Sequence, residues 1–240
     1  MKKTALFLLV LIVNVYGQGR FITGTPVNIE SGTSTTFATS STTASFTPPS
    51  NATIIAFSAN TKALPGSRVT TATSTFSTVS GWTRLVSEFE NSDGAATAIG
   101  IFTATTTGSP GSGTMTFNYQ SEAARNAWIV VVVPQVDIHN YYNEVDSLFN
   151  ESTTLSISMT DIGKGAVFLG GVVSGTDSDG ITPGTNETEL AEEFTGLTND
   201  VRLQVQYGTD LTHNWSGLTA QSNCAVVVEL RPKTSRRIVN

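Results

Sequence analysis

The sequence predicts an all-β chain, an antiparallel, jelly-roll-like β-sandwich built from two pseudo-repeated halves. Three observations carry this. Only 13% of the 240 residues are charged while Ser, Thr, Gly and Asn abound, a balance that suits strands and turns better than helices. Short segments alternate apolar and polar side chains between Gly-, Pro- and Asn-rich punctuation, the period of a pleated strand. Finally, NAWIVVVVP at 126–134 returns as NCAVVVELR at 223–231.

The chain opens MKKTALFLLVLIVNVYGQG, with two lysines, an apolar stretch from Ala5 to Val13 and small residues before Gln18. This is the order of a secretory signal, expected at 1–17, and the apolar stretch is shorter than the ~20 residues a permanent membrane helix needs. The sequence therefore predicts a secreted, extracellular or cell-surface protein with no permanent membrane span. Cys224 is the single cysteine, so no internal disulfide forms and stability rests on an apolar core in which Cys224 acts as a small hydrophobe. The net charge of −6 falls to −8 without Lys2 and Lys3, and such acidity repels a phosphate backbone, which speaks against nucleic acid as a partner. Residues 18–43 read as a Ser/Thr-rich N-terminal arm. The tract Gly32 to Ser45 is either a solvated spacer or an edge strand.

The β-sandwich is expected over 44–232, in halves 44–134 and 153–232, followed by a basic tail at 233–240. In the first half, alternation places strands at 43–47, 53–59, 82–89, 96–105, 113–120 and 126–133, separated by Pro48-Pro49, NSDG at 91–94 and TGSPGSG at 107–113. In the second half, strands are expected at 154–159, 166–174, 188–194, 200–207 and 223–230, with a further one at 217–221. The halves correspond segment by segment. Ser45 lies over Ser158 and Ile54 over Val167 at an offset of 113; Glu88 lies over Glu193 at 105; Ile99 lies over Leu203 at 104; Asn126 lies over Asn223 at 97. Offsets that shrink between segments mark loops that shortened around conserved strands, as expected of a duplication.

A strand apolar on both faces is covered on both faces. NAWIVVVVP meets that description, whereas Glu229 suggests that the outer face of its counterpart reaches solvent near its end. The strand number suits either one large jelly-roll-like sandwich or two smaller sandwiches in tandem. The join at 135–152 is rich in residues that pack, including Val136, Tyr142, Leu148 and Phe149, which favours one domain.

The order FTPPSNATIIAF at 46–57, GWTRLV at 81–86, NAWIVVVV and NCAVVVELRP resembles a broad set of uncharacterised secreted or phage-borne jelly-roll-like β-sandwich domains. In these, an F-x-P-P-x-N-A opening precedes an apolar strand, and an apolar V-E-L-R-P-like strand closes the unit. The resemblance covers roughly 44–232 and rests on packing residues. It implies a jelly-roll-like fold in an extracellular or virion-surface setting and supplies no catalytic positions, since such folds host many functions.

The polar residues offer few sites. The densest cluster, VDIHNYYNEVD at 136–146, would put Asp137, His139 and Tyr141 on one face if extended; a polar crossover between the halves is its plain structural reading. Exposed aromatic faces for carbohydrate binding are sought at Tyr141, Tyr142 and Trp215, the last beside His213 and Asn214. Trp128 belongs to the core, and enclosure is the common fate of each Trp. Asp177 and Asp179, two apart in GTDSDG, are candidate calcium ligands, although the loop lacks the further oxygens of an EF-hand and also suits an ordinary turn. The two histidines fit no zinc pattern, and no G-x-S-x-G elbow occurs. The carboxylate pairs Glu88/Glu90 and Glu187/Glu189 share strand faces, where such acids are ordinarily solvated. Four N-x-S/T sequons at Asn51, Asn150, Asn186 and Asn214 are about what this composition produces by chance.

These readings point first to a non-catalytic exported module for binding or adhesion, with a glycan or a protein surface as ligand. A structural subunit of a virion or extracellular filament, formed by self-assembly, is the alternative. A polysaccharide-active enzyme ranks third, with Asp137, His139 and Glu144 as the cluster to test. No cofactor other than calcium is suggested.

Overall fold

The computed structural model describes residues 24–62, 67–92, 95–134, 136, 142–160, 165–175, 180–196 and 200–232. The expected leader at 1–17 and the basic tail at 233–240 lie outside them. The described residues hold sixteen strands and no helix. The first half runs through β1 (Val27–Ser34), β2 (Ala38–Thr42), β3 (Thr53–Lys62), β4 (Val69–Ser74), β5 (Thr83–Ser92), β6 (Ala95–Thr105), β7 (Met115–Ala123) and β8 (Arg125–Val133). The second half runs through β9 (Tyr142–Asn150), β10 (Thr154–Ser158), β11 (Val167–Ser174), β12 (Thr182–Pro183), β13 (Thr188–Phe194), β14 (Arg202–Gly208), β15 (Thr212–Ser216) and β16 (Asn223–Leu230). Every strand pairing is antiparallel.

The two halves have one topology. The first forms a five-stranded sheet in the order β1-β8-β3-β6-β5 and a three-stranded sheet β2-β7-β4; the second forms β9-β16-β11-β14-β13 and β10-β15-β12. Each strand of one half thus has its counterpart eight strands on. Pairing β1 with β8, β2 with β7 and β3 with β6, alternately in the large and the small sheet, is the rolled-up ladder of a jelly roll. Only β5 departs, joining β6 in the large sheet. Even irregularities repeat. The extra residue that bulges β5 is Leu85, between Arg84 and Val86, and its counterpart in β13 is Leu190, between Glu189 and Ala191.

Three cores separate four layers. The two large sheets bury Ile55, Phe57, Ile129 and Val131 against Leu169, Leu203, Val226 and Val228. On its other face the first large sheet packs Ile54, Trp128 and Val130 against Phe117 and Tyr119 of its small sheet. The second large sheet likewise packs Phe168, Ala225 and Val227 against Leu155, Ile157 and Trp215. The molecule is therefore two sandwiches set back to back with their large sheets in contact. The apolar runs follow directly: β8 and β16 lie in inner layers, so every side chain from Asn126 to Val133, and every one in β16, is buried. Glu229 is included, fully buried rather than reaching solvent, because the outer layer covers that face along its length.

The contact between large sheets is a pseudo-twofold one. Ser31 and Ser147 occupy equivalent positions opposite Ile129 and Val226, as do Glu88 and Glu193. Across the interface Ser31 Oγ donates to Glu193 Oε1 at 2.6 Å and Ser147 Oγ donates to Glu88 Oε2 at 2.8 Å, so one hydrogen bond is made twice.

Several expectations require correction. Of the two readings of the Ser/Thr tract the edge strand holds: β1 (from Val27) edges the large sheet beside β8 and β2 the small sheet beside β7, so strands of the sandwich also lie within the expected arm at 18–43. The expected strand at 43–47 reduces to a bridge between Phe46 and Gly113. The join contains β9, which belongs to the second half. The strand expected at 217–221 lies earlier, as β15, and β4 and β12 were not foreseen. The offset of 113 is one residue short: Phe57 and Gly171 face the equivalent partners Ile129 and Val226, so Ile54 corresponds to Phe168. A slip of one residue exchanges the faces of a strand, and Ile54 and Phe168 indeed share the outer cores while Val167 joins the central one.

Candidate functional site

Of the residues considered as ligand contacts, Asp137, His139 and Tyr141 lie outside the described residues, as do the calcium candidates Asp177 and Asp179. Tyr142 opens β9 and is exposed. Glu144, of the same cluster, accepts hydrogen bonds from the Thr160 N–H at 3.0 Å and the Thr160 hydroxyl at 2.9 Å. His213 and Trp215 need a correction, since neither is at the surface: they are 0% and 1% exposed. They occupy alternate positions of β15, the middle strand of its sheet, and alternation sends both inward. Trp215 lies so close over Gly170 that a Cβ there would be 2.7 Å from Cζ2, and Trp215 presents no exposed aromatic face. Trp128 is in the core and Trp82 is half-buried, its Nε1 donating to Ser74 Oγ at 3.0 Å.

A signal in the sequence would have placed them. Thr116-Phe117-Asn118-Tyr119 in β7 matches Thr212-His213-Asn214-Trp215 in β15, which sets His213 on Phe117 and Trp215 on Tyr119. By strand pairing Gln206 stands on Phe102, and Glu187, just before Thr188, stands on Trp82. The three positions that are Trp82, Phe102 and Phe117 in the first half are thus Glu187, Gln206 and His213 in the second. In the first half Phe102 and Phe117 pack as a tilted aromatic pair with centroids 6.1 Å apart. In the second, a polar network fills the same space.

Glu187 is the hub of that network. Its Oε2 accepts from the backbone N–H of Gly184 at 3.1 Å, from the N–H of Asn214 at 3.3 Å and from Gln206 Nε2, while Oε1 lies against His213 Nδ1. Gln206 Nε2 also donates to the Asn214 carbonyl at 3.1 Å, and the His213 ring meets Phe168 edge-on at 5.1 Å. The Glu187 and His213 side chains are both fully buried. Glu187 was expected to be a solvated strand acid and is instead enclosed, because the turn from Gly184 folds its side chain under β15. An acid–base pair of this composition has the chemistry of proton transfer, but here it has no exposed atom and its donors join the β12–β13 turn, β14 and β15. Further along β14, Arg202 pairs with Glu192 and stacks 3.9 Å over the Phe194 ring, and Gln204 Nε2 donates to the Ile181 carbonyl at 3.2 Å.

Two sheet faces among the described residues look to solvent, the outer faces of the two small sheets. Alternation that sends Phe117 and Tyr119 inward sends Thr116, Asn118 and Gln120 outward, flanked by Thr42 and by Thr71 and Thr73. On the opposite side of the stack, Thr212, Asn214 and Ser216 face outward between Ser156 and Ser158 on one side and Thr182 on the other. The hydroxyls knit the strands together: Thr42 with Thr116 at 3.0 Å, its counterpart Ser158 with Thr212 at 3.1 Å, and Asn118 Nδ2 to Thr71 Oγ1 at 3.0 Å. In the six strands of the two small sheets the only Asp, Glu, Lys or Arg is Glu122, at the far end of β7. The second face is therefore uncharged, the first carries charge only at Glu122, and both are lined mainly with hydroxyls and amides.

Among the described residues no three His, Cys, Asp or Glu side chains gather as a metal site, and no helix is long and apolar enough to cross a membrane. Comparison with known proteins finds no matching family model, no matching curated protein and no matching solved structure.

Proposed function

We propose that the protein is a non-catalytic, exported β-sandwich module that binds or adheres to an uncharged, polyhydroxylated surface such as a neutral polysaccharide. The observation that carries this reading is the composition of the two outer sheet faces. A chain with a net charge of −6 keeps Asp, Lys, Arg and every Glu but Glu122 out of the strands of its two outer sheets, where charged side chains are ordinarily frequent on a solvent-facing side. Hydroxyls and amides act both as donors and as acceptors, which suits a ligand that is itself a field of hydroxyls. The leader at 1–17 supports export.

A second feature favours face binding over strand-lending self-assembly. All four edge strands of the large sheets, β1, β5, β9 and β13, carry a bulge, and bulged edges resist pairing with another chain. The test is retention of the purified chain on insoluble cellulose, chitin, starch and mannan, together with a glycan array. Retention on at least one neutral polysaccharide that weakens little with added salt is the expected result, because no ion pair contributes. No retention on any of them, and no array signal, overturns the reading.

A further inference from the structure

The two outer faces are equivalent and look in opposite directions, and from this we infer that a single chain bridges two neutral polysaccharide strands or surfaces, one on each face. This rests on the reading of those faces as contact surfaces and adds a valence to it. The faces correspond at several outward positions of their paired strands. Thr42 and Thr116 in the small sheet of the first half match Ser158 and Thr212 in that of the second, and each pair is joined by a hydroxyl hydrogen bond at 3.0 and 3.1 Å. Asn118 and Asn214 stand at the next outward positions of β7 and β15. The inward positions beneath them diverged from Phe117 to His213 and from Tyr119 to Trp215, while of the outward ones Thr116 and Asn118 recur as Thr212 and Asn214 and Gln120 is replaced by Ser216. Packing constrains the inward side; it places no such demand on the outward one.

The stacking order fixes the direction of each face. The small sheet of the first half lies on one side of the paired large sheets and the small sheet of the second half on the other. With layers about 10 Å apart, the two faces stand roughly 30 Å from each other. One ligand chain lying flat on one face cannot also reach the other without turning around the molecule, so the second face remains open to a second chain. A bridge of this kind gains avidity on a dense surface without any new contact.

The experiment is a sandwich capture. The polysaccharide that retains the chain is immobilised, the full-length chain is bound, and a fluorescent soluble fragment of the same polysaccharide is added. Sizing in the same buffer establishes whether the chain is monomeric. Asn118→Lys and Asn214→Lys each place a long cation on one face, and thermal melts check that both fold. Wild type is expected to capture the labelled fragment. Each single variant is expected to stay bound to the immobilised polysaccharide and to lose capture; the double variant is expected to lose both. Wild type that binds but captures nothing overturns the bridge while leaving the binding reading intact. Capture by either single variant at the wild-type level overturns it as well, since the bridge then does not need both faces, as when oligomers supply the second site. Absence of any binding removes the underlying reading, a result distinct from either.

Discussion

At the centre of the interface between the large sheets, equivalent residues of the two halves approach each other, and Phe57 meets Gly171 there. These occupy the same position in β3 and β11, and a Cβ on Gly171 would lie 2.5 Å from Phe57 Cδ1. Near a twofold axis two large identical side chains collide and two small ones leave a gap, so a large residue facing a small one is the close-packed solution, and only a duplicated chain can adopt it. Gly171→Ala is expected to cost about 1–3 kcal/mol by overpacking, and Phe57→Leu in that background is expected to recover part of the loss. Urea denaturation of the two singles and the double checks this through a coupling energy. Elsewhere in the core, burial pushes the Tyr119 hydroxyl up to about 12, against the lowering effect of its hydrogen bond with Ser41. A raised folded-state value means that the unfolded chain loses this proton first. The associated stability is present in full below pH 10 and is lost between about pH 10 and 12, with an upper limit of about 3 kcal/mol. Stability measured across that window is expected to fall more steeply in the wild type than in Tyr119→Phe.

Among the elements, the β12–β13 turn and strands β14 and β15 are tied by Glu187, Gln206 and His213, where the first half uses Trp82, Phe102 and Phe117. A buried polar network contributes little net stability but is costly to break from one side. His213→Phe alone restores the first-half residue yet removes the partner of Glu187 Oε1, and a loss of about 1–3 kcal/mol in urea denaturation is expected. Replacing the network as a unit, with Glu187→Leu, Gln206→Leu and His213→Phe, is expected to be near neutral or stabilising. If the single and the triple lose equally, the network is not acting as a closed unit. The same elements show what the sequence makes legible. Strands with one clean apolar face, such as β7 and β10, announce themselves by period two. The edge strands β1 and β4 do not, since Thr and Ser on both faces of VNIESGTS and VTTATS erase the alternation. The opposite condition hid the register of β11: in a strand apolar on both faces parity carries no information, so the 113 offset fitted as well as the true 114. The inward orientation of His213 and Trp215 is not legible in their own segment, THNWS, whose residues show no apolar alternation. The T-x-N-aromatic match to β7, which fixes its inward face, lies in the other half of the chain.

For the molecule as a whole, the question is whether two jelly rolls in one chain behave as two domains or as one. Each half has an outer core of its own, yet the largest core is the shared one, and neither large sheet buries its inner face without the other. Unfolding one half would expose that apolar surface on its partner and break both Ser–Glu hydrogen bonds across the interface, so a half-folded state loses the shared core as well as one outer core while gaining only about half of the chain entropy. One cooperative transition follows. The tryptophans report on the halves separately: Trp82 and Trp128 belong to the first and Trp215 to the second. In Trp215→Phe, fluorescence follows the first half; in Trp82→Phe/Trp128→Phe, it follows the second. In each variant fluorescence and far-ultraviolet circular dichroism are expected to give the same urea midpoint, the signature of two-state unfolding. A fluorescence midpoint that precedes the dichroism midpoint in one variant and follows it in the other would show halves that unfold independently. The two outer faces would then not be held in fixed opposition, and the rigid geometry needed to bridge two polysaccharide surfaces would be lost with it.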